Sequence, residues 1–227
     1  LNWNENIALL SGDAMSVIAY KFMSNAENLK EVLDIFSDTA LKICEGQQFD
    51  MDYEKTEFVT VEDYLKMIEL KTAVLIACSL KIGAITANAS SNNRERIYEF
   101  GKNLGMAFQL QDDYLDTYGD LEKFGKPIGG DIVANKKTFL LIKALELAKG
   151  DLLNSLKSWL KKDDFNKADK ISAVRSIFNK LSIDNISKEL INYYFSLAEK
   201  SLDLVNISSE RKKILETYYK SMIHRVF

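Results

Sequence analysis

The chain has 227 residues, 47% of them hydrophobic and 28% charged, which suits one sizeable globular domain with a substantial core. Thirty basic against thirty-three acidic residues leave a formal charge of -3, with no basic block that would make a phosphate-backbone footprint, so the composition argues against a nucleic-acid partner. Ten glycines and a single proline, with long apolar patterns at spacings of three and four, predict a nearly all-α protein.

The first apolar stretch, IALLSGDAMSVIAY, carries Asp13 and is too short and too interrupted to span a bilayer or to act as a signal segment. A soluble, cytoplasmic protein without a transmembrane segment is expected. The chain enters this pattern almost directly from Leu1, which is not a methionine, and without the polar lead-in of a natural terminus; a processed or truncated chain is expected. Leu29, Val32, Leu33, Phe36, Ala40 and Ile43 then make a helical stripe that ends near Gly46. Thr60 followed by Asp63 has the form of a capping box, opening one helix that runs through Leu65, Ile68, Thr72, Leu75 and Ile76.

Ile97, Phe100, Leu104, Phe108 and Gln111 form the next stripe, which leads straight into three aspartates in FQLQDDYLDTYGD. The dense cluster of breakers FGKPIGGD, with Gly125, Pro127, Gly129 and Gly130, reads as a loop between helices. Later stripes are Leu141, Ala144, Leu145 and Ala148, then Ile171, Val174, Ile177 and Phe178, then Leu190, Tyr194, Leu197 and Ala198; Ser208 is positioned to cap a final helix. Residues 1–227 are expected to form a single helical domain. Cys44 and Cys78 both sit in apolar helical patterns and read as core thiols of a reducing compartment, with a disulfide between them left open.

Chemistry concentrates around the aspartates. On a helix Asp112 and Asp116 are i,i+4 neighbours and Asp113 and Asp116 are i,i+3 neighbours, so their carboxylates would point to one side. At a separation of about 6 Å and an effective dielectric near 20, two such charges repel by roughly 2 to 3 kcal/mol. Mg²⁺ is the natural counter-charge, because it takes carboxylate oxygens and keeps waters and substrate phosphates as its other ligands. A solvated acidic turn near a helix end accounts equally well for an isolated DDxxD. Downstream, Lys123, Lys126, Lys136 and Lys137 follow within one loop and one turn, as a diphosphate group would require, although Lys123 reads as an ordinary surface charge. Lys126 and Lys136 flank the glycine loop, which could close over a substrate and exclude water. Upstream, EGQQFD puts Gln47 and Asp50 on one helix face. Lys71 and Thr72 lie inside an apolar stripe, where Lys71 either snorkels to solvent or faces an anionic site.

Taken together these segments resemble the trans-type isoprenyl diphosphate synthases. LLSGDAM resembles the segment that follows the family's first aspartate-rich motif, GQQFD its GQxxD motif and LKTA its KT motif; FQLQDDYLD resembles the second aspartate-rich motif, and FGKPIGGDIVANKKT the lid and basic segment. Five motifs stand in the family's order between Leu10 and Thr138. The resemblance implies an all-α bundle of mostly antiparallel helices around a central cavity, and a homodimer. It implies Asp112, Asp113 and Asp116 in an Mg²⁺-diphosphate cluster, with Asp112 the direct ligand and Asp131 in support. Lys71, Lys126 and Lys136 would contact an allylic diphosphate, Thr72 and Gln109 would face the developing allylic cation, and Gln47 and Asp50 would line the same cavity. Gln109 reads equally, on its own, as a buried amide satisfied by backbone. The implied substrates are isopentenyl diphosphate and an allylic diphosphate.

The pattern also breaks. The family's first aspartate-rich motif and the basic residues that bind isopentenyl diphosphate would fall before Leu1, so the chain is expected to be catalytically incomplete and product length is unreadable. His224 and Arg225 occupy a region where the family often carries basic residues; the lone histidine reads as an exposed side chain. Two other readings stay open: a non-catalytic synthase-like subunit, and a class I terpene cyclase, which DDYLD followed by a lysine-bearing glycine loop disfavours.

Overall fold

The computed structural model describes residues 4–119 and 128–223. Among them every regular element is a helix: α1 (Glu5–Met23), α2 (Leu29–Lys55), α3 (Val61–Ile68), a π-helical turn (Glu69–Ala73), α4 (Val74–Thr86), α5 (Ser91–Tyr118), α6 (Gly130–Val133), α7 (Phe139–Leu147), α8 (Gly150–Lys161), α9 (Lys167–Lys180), α10 (Ile183–Asp203) and α11 (Ser209–Ile223). No helix among the described residues is long and apolar enough to cross a membrane.

Local chemistry sets several of the starts. Asn4 accepts from the Ile7 amide, Ser90 from that of Asn93, and Asn166 from those of Ala168 and Asp169, each relieving an orphan donor of a first turn. The capping box expected at Thr60 is present in both directions: the Asp63 amide donates to Thr60 Oγ1 at 3.1 Å, and the Thr60 amide donates to Asp63 Oδ2 at 3.0 Å. The last helix begins directly after Ser208.

The 28 residues of α5 span about 42 Å at the ordinary helical rise. This helix is the axis of the molecule, packed between α4 on one side and α10 on the other. Its stripe is buried as expected at Ile97, Phe100, Leu104 and Gln111, with Phe108 half-buried, and Gln111 Nε2 donates to the Met222 carbonyl at 2.8 Å. Two cores result. The larger joins α3, α5, α10 and α11 through Tyr64, Phe100, Ile191 and Tyr219. The smaller closes α6 to α9 around Leu140, Leu156, Val174 and Phe178.

Two expectations need correction. The helix opened by Thr60 is not continuous; it widens to a π turn at Glu69–Ala73 before resuming as α4. Cys78 is buried, but Cys44 is exposed on α2, and both thiols are free. The apolar start of the chain forms α1 without one buried residue: Leu9, Leu10, Met15, Val17 and Phe22 are each about two-thirds exposed.

Candidate active site

The π turn is the point from which the site is built. Gly46 of α2 and Gly105 of α5 approach it from opposite sides. A Cβ on Gly46 would stand 2.4 Å from the Lys71 amide nitrogen, and one on Gly105 would stand 2.5 Å from Ala73 Cα. Only a residue without Cβ lets both backbones come so close. One extra residue in a turn is worth about 100° of helix rotation, and the buried stripe changes phase here, from Tyr64, Met67 and Ile68 to Leu70, Ala73, Val74 and Ala77. Lys71 and Thr72 are thereby left half-buried. Single-turn π bulges of this kind occur often at functional sites.

Lys71 does not simply snorkel to solvent. Its ammonium lies 2.6 Å from Asp50 Oδ2 on α2, with both side chains largely covered. Thr72 Oγ1 donates to Gln109 Oε1 at 3.0 Å, and Gln109 Nε2 donates to Asp113 Oδ1 at 3.0 Å. Gln109 is therefore held by side chains and not by backbone. The second oxygen of Asp113 accepts from the Tyr64 hydroxyl at 2.6 Å. Lys136 Nζ, in the turn after α6, stands 3.8 Å from Asp113 Oδ1 and 3.5 Å from Asp131 Oδ1. Finally, the Asp131 amide donates to Asp116 Oδ2 at 2.9 Å, and the Gly129 amide donates to the Asp116 carbonyl. Two polar links thus meet at the π turn: the Asp50–Lys71 pair, and a run from Thr72 through Gln109, Asp113 and Lys136 to Asp131.

The three aspartates of α5 do not share one direction, contrary to the simple helical-face expectation. Asp112 is exposed, Asp113 is 2% exposed and turned onto Tyr64 and Gln109, and Asp116 fastens the start of α6. Among the described residues no group of three acidic, histidine or cysteine side chains converges as a ready metal site. The physical reason is packing: Asp113 is one turn beyond Gln109 on the core side of α5, where its charge must be satisfied by donors.

Electrostatics follow the geometry. Burial raises the Asp113 carboxyl above its ordinary value against the opposing pull of Lys136, Tyr64 and Gln109. Burial also pushes Asp131 up to about 7, helped by Asp113 and Asp116 and opposed by Lys136. For Lys136 burial works downward, but Asp113, Asp131 and Asp50 outweigh it and the ammonium is raised. Burial, followed by the Asp113 charge, holds the Tyr64 hydroxyl well above its usual value, so it remains a donor.

The sequence-predicted residues sort into three groups. Asp50, Lys71, Thr72, Gln109, Asp113, Asp116, Asp131 and Lys136 are brought together. Gln47 is exposed one turn before Asp50, and Asp112 is exposed at the edge of the cluster. Lys126, with Lys123, Gly125, Pro127, His224 and Arg225, lies outside the described residues. Lys137 lines a separate groove of about 450 Å³ with Phe58 and Leu153. Sequence reasoning missed Tyr64. Its available signal was a phenol on the buried face of a capped helix, which must find an acceptor.

The polyprenyl synthetase family model matches residues 1–178. A short chain isoprenyl diphosphate synthase of Methanothermobacter thermautotrophicus is 42% identical over 149 residues, covering 64% of this chain and 46% of that protein, so the chain spans about half the length of that relative. A crystal structure of a geranylgeranyl pyrophosphate synthase superposes with a TM-score of 0.93 at 38% identity, covering all of this chain and 71% of the other. The geranylgeranyl pyrophosphate synthase of Corynebacterium glutamicum, solved in complex with isoprenyl diphosphate and magnesium, gives a TM-score of 0.87 at 26% identity over 97% of this chain and 63% of that one. With the family match extending over most of its residues, the chain belongs to the polyprenyl synthetase family.

Proposed function

We propose that this chain acts as part of a prenyltransferase that condenses isopentenyl diphosphate with an allylic diphosphate, head to tail, in isoprenoid biosynthesis. The observation that carries the reading is the convergence at the π turn of two lysines from separate elements, each held by carboxylates, beside a threonine–glutamine pair. The names of the relatives support it.

The donor set fits Mg²⁺. It is made of oxygens, and its five carboxylates, Asp50, Asp112, Asp113, Asp116 and Asp131, exceed the two ammonium groups of Lys71 and Lys136; burial first, and then the charges of Asp113 and Asp116, push Asp131 up to about 7. Asp112 would be the direct ligand, with Asp113, Asp116 and Asp131 adding charge from fixed positions. When bound, the ion neutralises a leaving diphosphate.

The residues of the chain then do the following. Lys71, Lys126 and Lys136 bind the allylic diphosphate and attract it more strongly as its C–O bond breaks. The oxygens of Thr72 and Gln109 direct the negative ends of their dipoles toward the allylic cation. Their mutual hydrogen bond fixes both orientations before reaction. Asp50 holds Lys71 in place beside the reacting groups, with Gln47 one turn before it on α2, and the surrounding helices keep water from quenching the cation. The double bond of isopentenyl diphosphate attacks the cation, and the diphosphate that left with the C–O bonding pair takes up the proton whose loss completes the new prenyl unit.

A homodimer belongs to the same proposal. The exposed apolar side chains along α1, among them Leu9, Leu10, Met15, Val17 and Phe22, offer a surface for a second copy. The enzyme reading is tested by incubating the product of the full coding sequence with isopentenyl diphosphate, allylic primers and Mg²⁺ and sizing the chains formed. Elongated prenyl diphosphate supports it; no product from any primer overturns it in favour of a non-catalytic subunit.

A further inference from the structure

Lys170, in the first turn of α9, is fully buried. Its ammonium donates to the Val133 carbonyl at 3.1 Å and to Asn135 Oδ1 at 2.7 Å, and it sits 4.2 Å above the Phe165 ring. Among the described residues no carboxylate lies within ion-pair distance of it. Burial lowers its pKa below the ordinary lysine value. A buried ammonium met only by neutral acceptors and a ring is unfavourable compared with an apolar side chain of the same length. What it provides instead is a set of directed donors.

Those donors hold one piece of backbone. Val133 is the last residue of α6, and Asn135 stands at φ +54, in the left-handed region. Asn135 Nδ2 also donates to the Leu160 carbonyl at 2.9 Å, tying the turn to the end of α8. Lys136 follows immediately, its amide donating to the Asp131 carbonyl at 2.9 Å. The neighbour of Lys170, Ile171, packs beneath Gly129 at the other end of α6, where a Cβ would meet Ile171 at 2.7 Å. One turn of α9 thus supports both ends of the segment that carries Asp131 and Lys136, while α5 grips the same segment through Asp116 from the opposite side.

We infer that Lys170 is a positioning residue for the diphosphate grip, fixing through Val133 and Asn135 the turn that presents Lys136 to substrate. This rests on the proposed role of Lys136 in binding a diphosphate. Among the described residues Lys170 makes no hydrogen bond or ion pair to the aspartates, and it acts on substrate only through that turn.

The test is a double-mutant cycle on the full-length protein, reading the affinity for a non-reacting thiolo analogue of an allylic diphosphate by calorimetry in Mg²⁺. Lys136→Ala and Lys170→Met should each weaken binding by about tenfold, and the double variant should bind no more weakly than Lys136→Ala alone. Wild-type affinity in a folded Lys170→Met protein, or losses that multiply in the double variant, overturns the inference. Should Lys170→Met fail to fold, Asn135→Gly removes the acceptor and keeps the left-handed backbone; a loss of about threefold that vanishes in the Lys136→Ala background supports the inference, and an unchanged affinity overturns it. Unchanged affinity in Lys136→Ala itself is a different result, which removes Lys136 from the diphosphate site.

Discussion

The Tyr64 hydroxyl and the Asp113 carboxylate, 49 positions apart, meet at 2.6 Å in the buried interior, and this bond joins the capped start of α3 to the site end of α5. Tyr64→Phe leaves Asp113 Oδ2 buried without that donor, which costs about 1–3 kcal/mol. It also drives the Asp113 pKa further upward, because the phenol is one of the groups that hold it down. Thermal unfolding and turnover of the full-length variant should both fall; an unchanged melting temperature would mean that water replaces the phenol.

Asp112 and Asp113 are adjacent yet should differ in what they do to stability. Asp112 is exposed, so Asp112→Ala should leave stability within about 0.5 kcal/mol of wild type while lowering prenyl transfer by roughly 10²- to 10³-fold. Asp113→Ala should lose both activity and stability, since it strips Tyr64, Gln109 and Lys136 of their common partner. Near-wild-type turnover in Asp112→Ala would remove its assigned role.

Asp131 gives the pH dependence. Its folded pKa of about 7 lies above the ordinary carboxyl value of 3.8, so the folded state holds this proton more tightly than the unfolded chain. Its contribution is therefore fully present below pH 3.8 and is lost as pH rises through about 7. In the presence of a chelator, the wild-type protein should lose stability across that window relative to Asp131→Asn, by up to about 4 kcal/mol, read as a falling melting temperature. Parallel melting profiles for the two proteins would exclude the burial effect.

Two glycines separate packing from propensity. Gly105→Ala forces a Cβ onto Ala73 and should destabilise the protein by about 1–3 kcal/mol or more. Gly83, in α4, has nothing within 4 Å of its missing Cβ, so Gly83→Ala should stabilise by about 0.5–1 kcal/mol. Denaturant midpoints of the two variants on either side of wild type would establish the contrast.

Most helices were readable because burial repeats at helical spacing: Ile97, Phe100 and Leu104 announce α5, and Thr60 with Asp63 announces the start of α3. The clustering of Lys71, Thr72 and Lys136 with the aspartates was readable only through ordered motifs, since no local pattern reveals which segments meet. Asp113 shows the limit. Its neighbour Asp112 is chemically identical, and only the packing of α5 against Tyr64 decides which of the two faces the core. The π turn escaped for a related reason: its signal, a shift in phase between Ile68 and Leu70, is small beside the apolar run on either side. Lys170 escaped because a lone lysine in a helix looks like any surface charge until Asn135 closes on it.

The widened turn at Glu69–Ala73 also bears on transplantation. Copying Lys71 and Thr72 onto a straight helix of another scaffold would aim them about 100° away from their partners. A working graft would need the extra residue and both facing glycines, Gly46 and Gly105, carried on two further helices. The portable unit is therefore a three-helix junction, and a five-residue motif moved alone carries the letters of the site without its orientation.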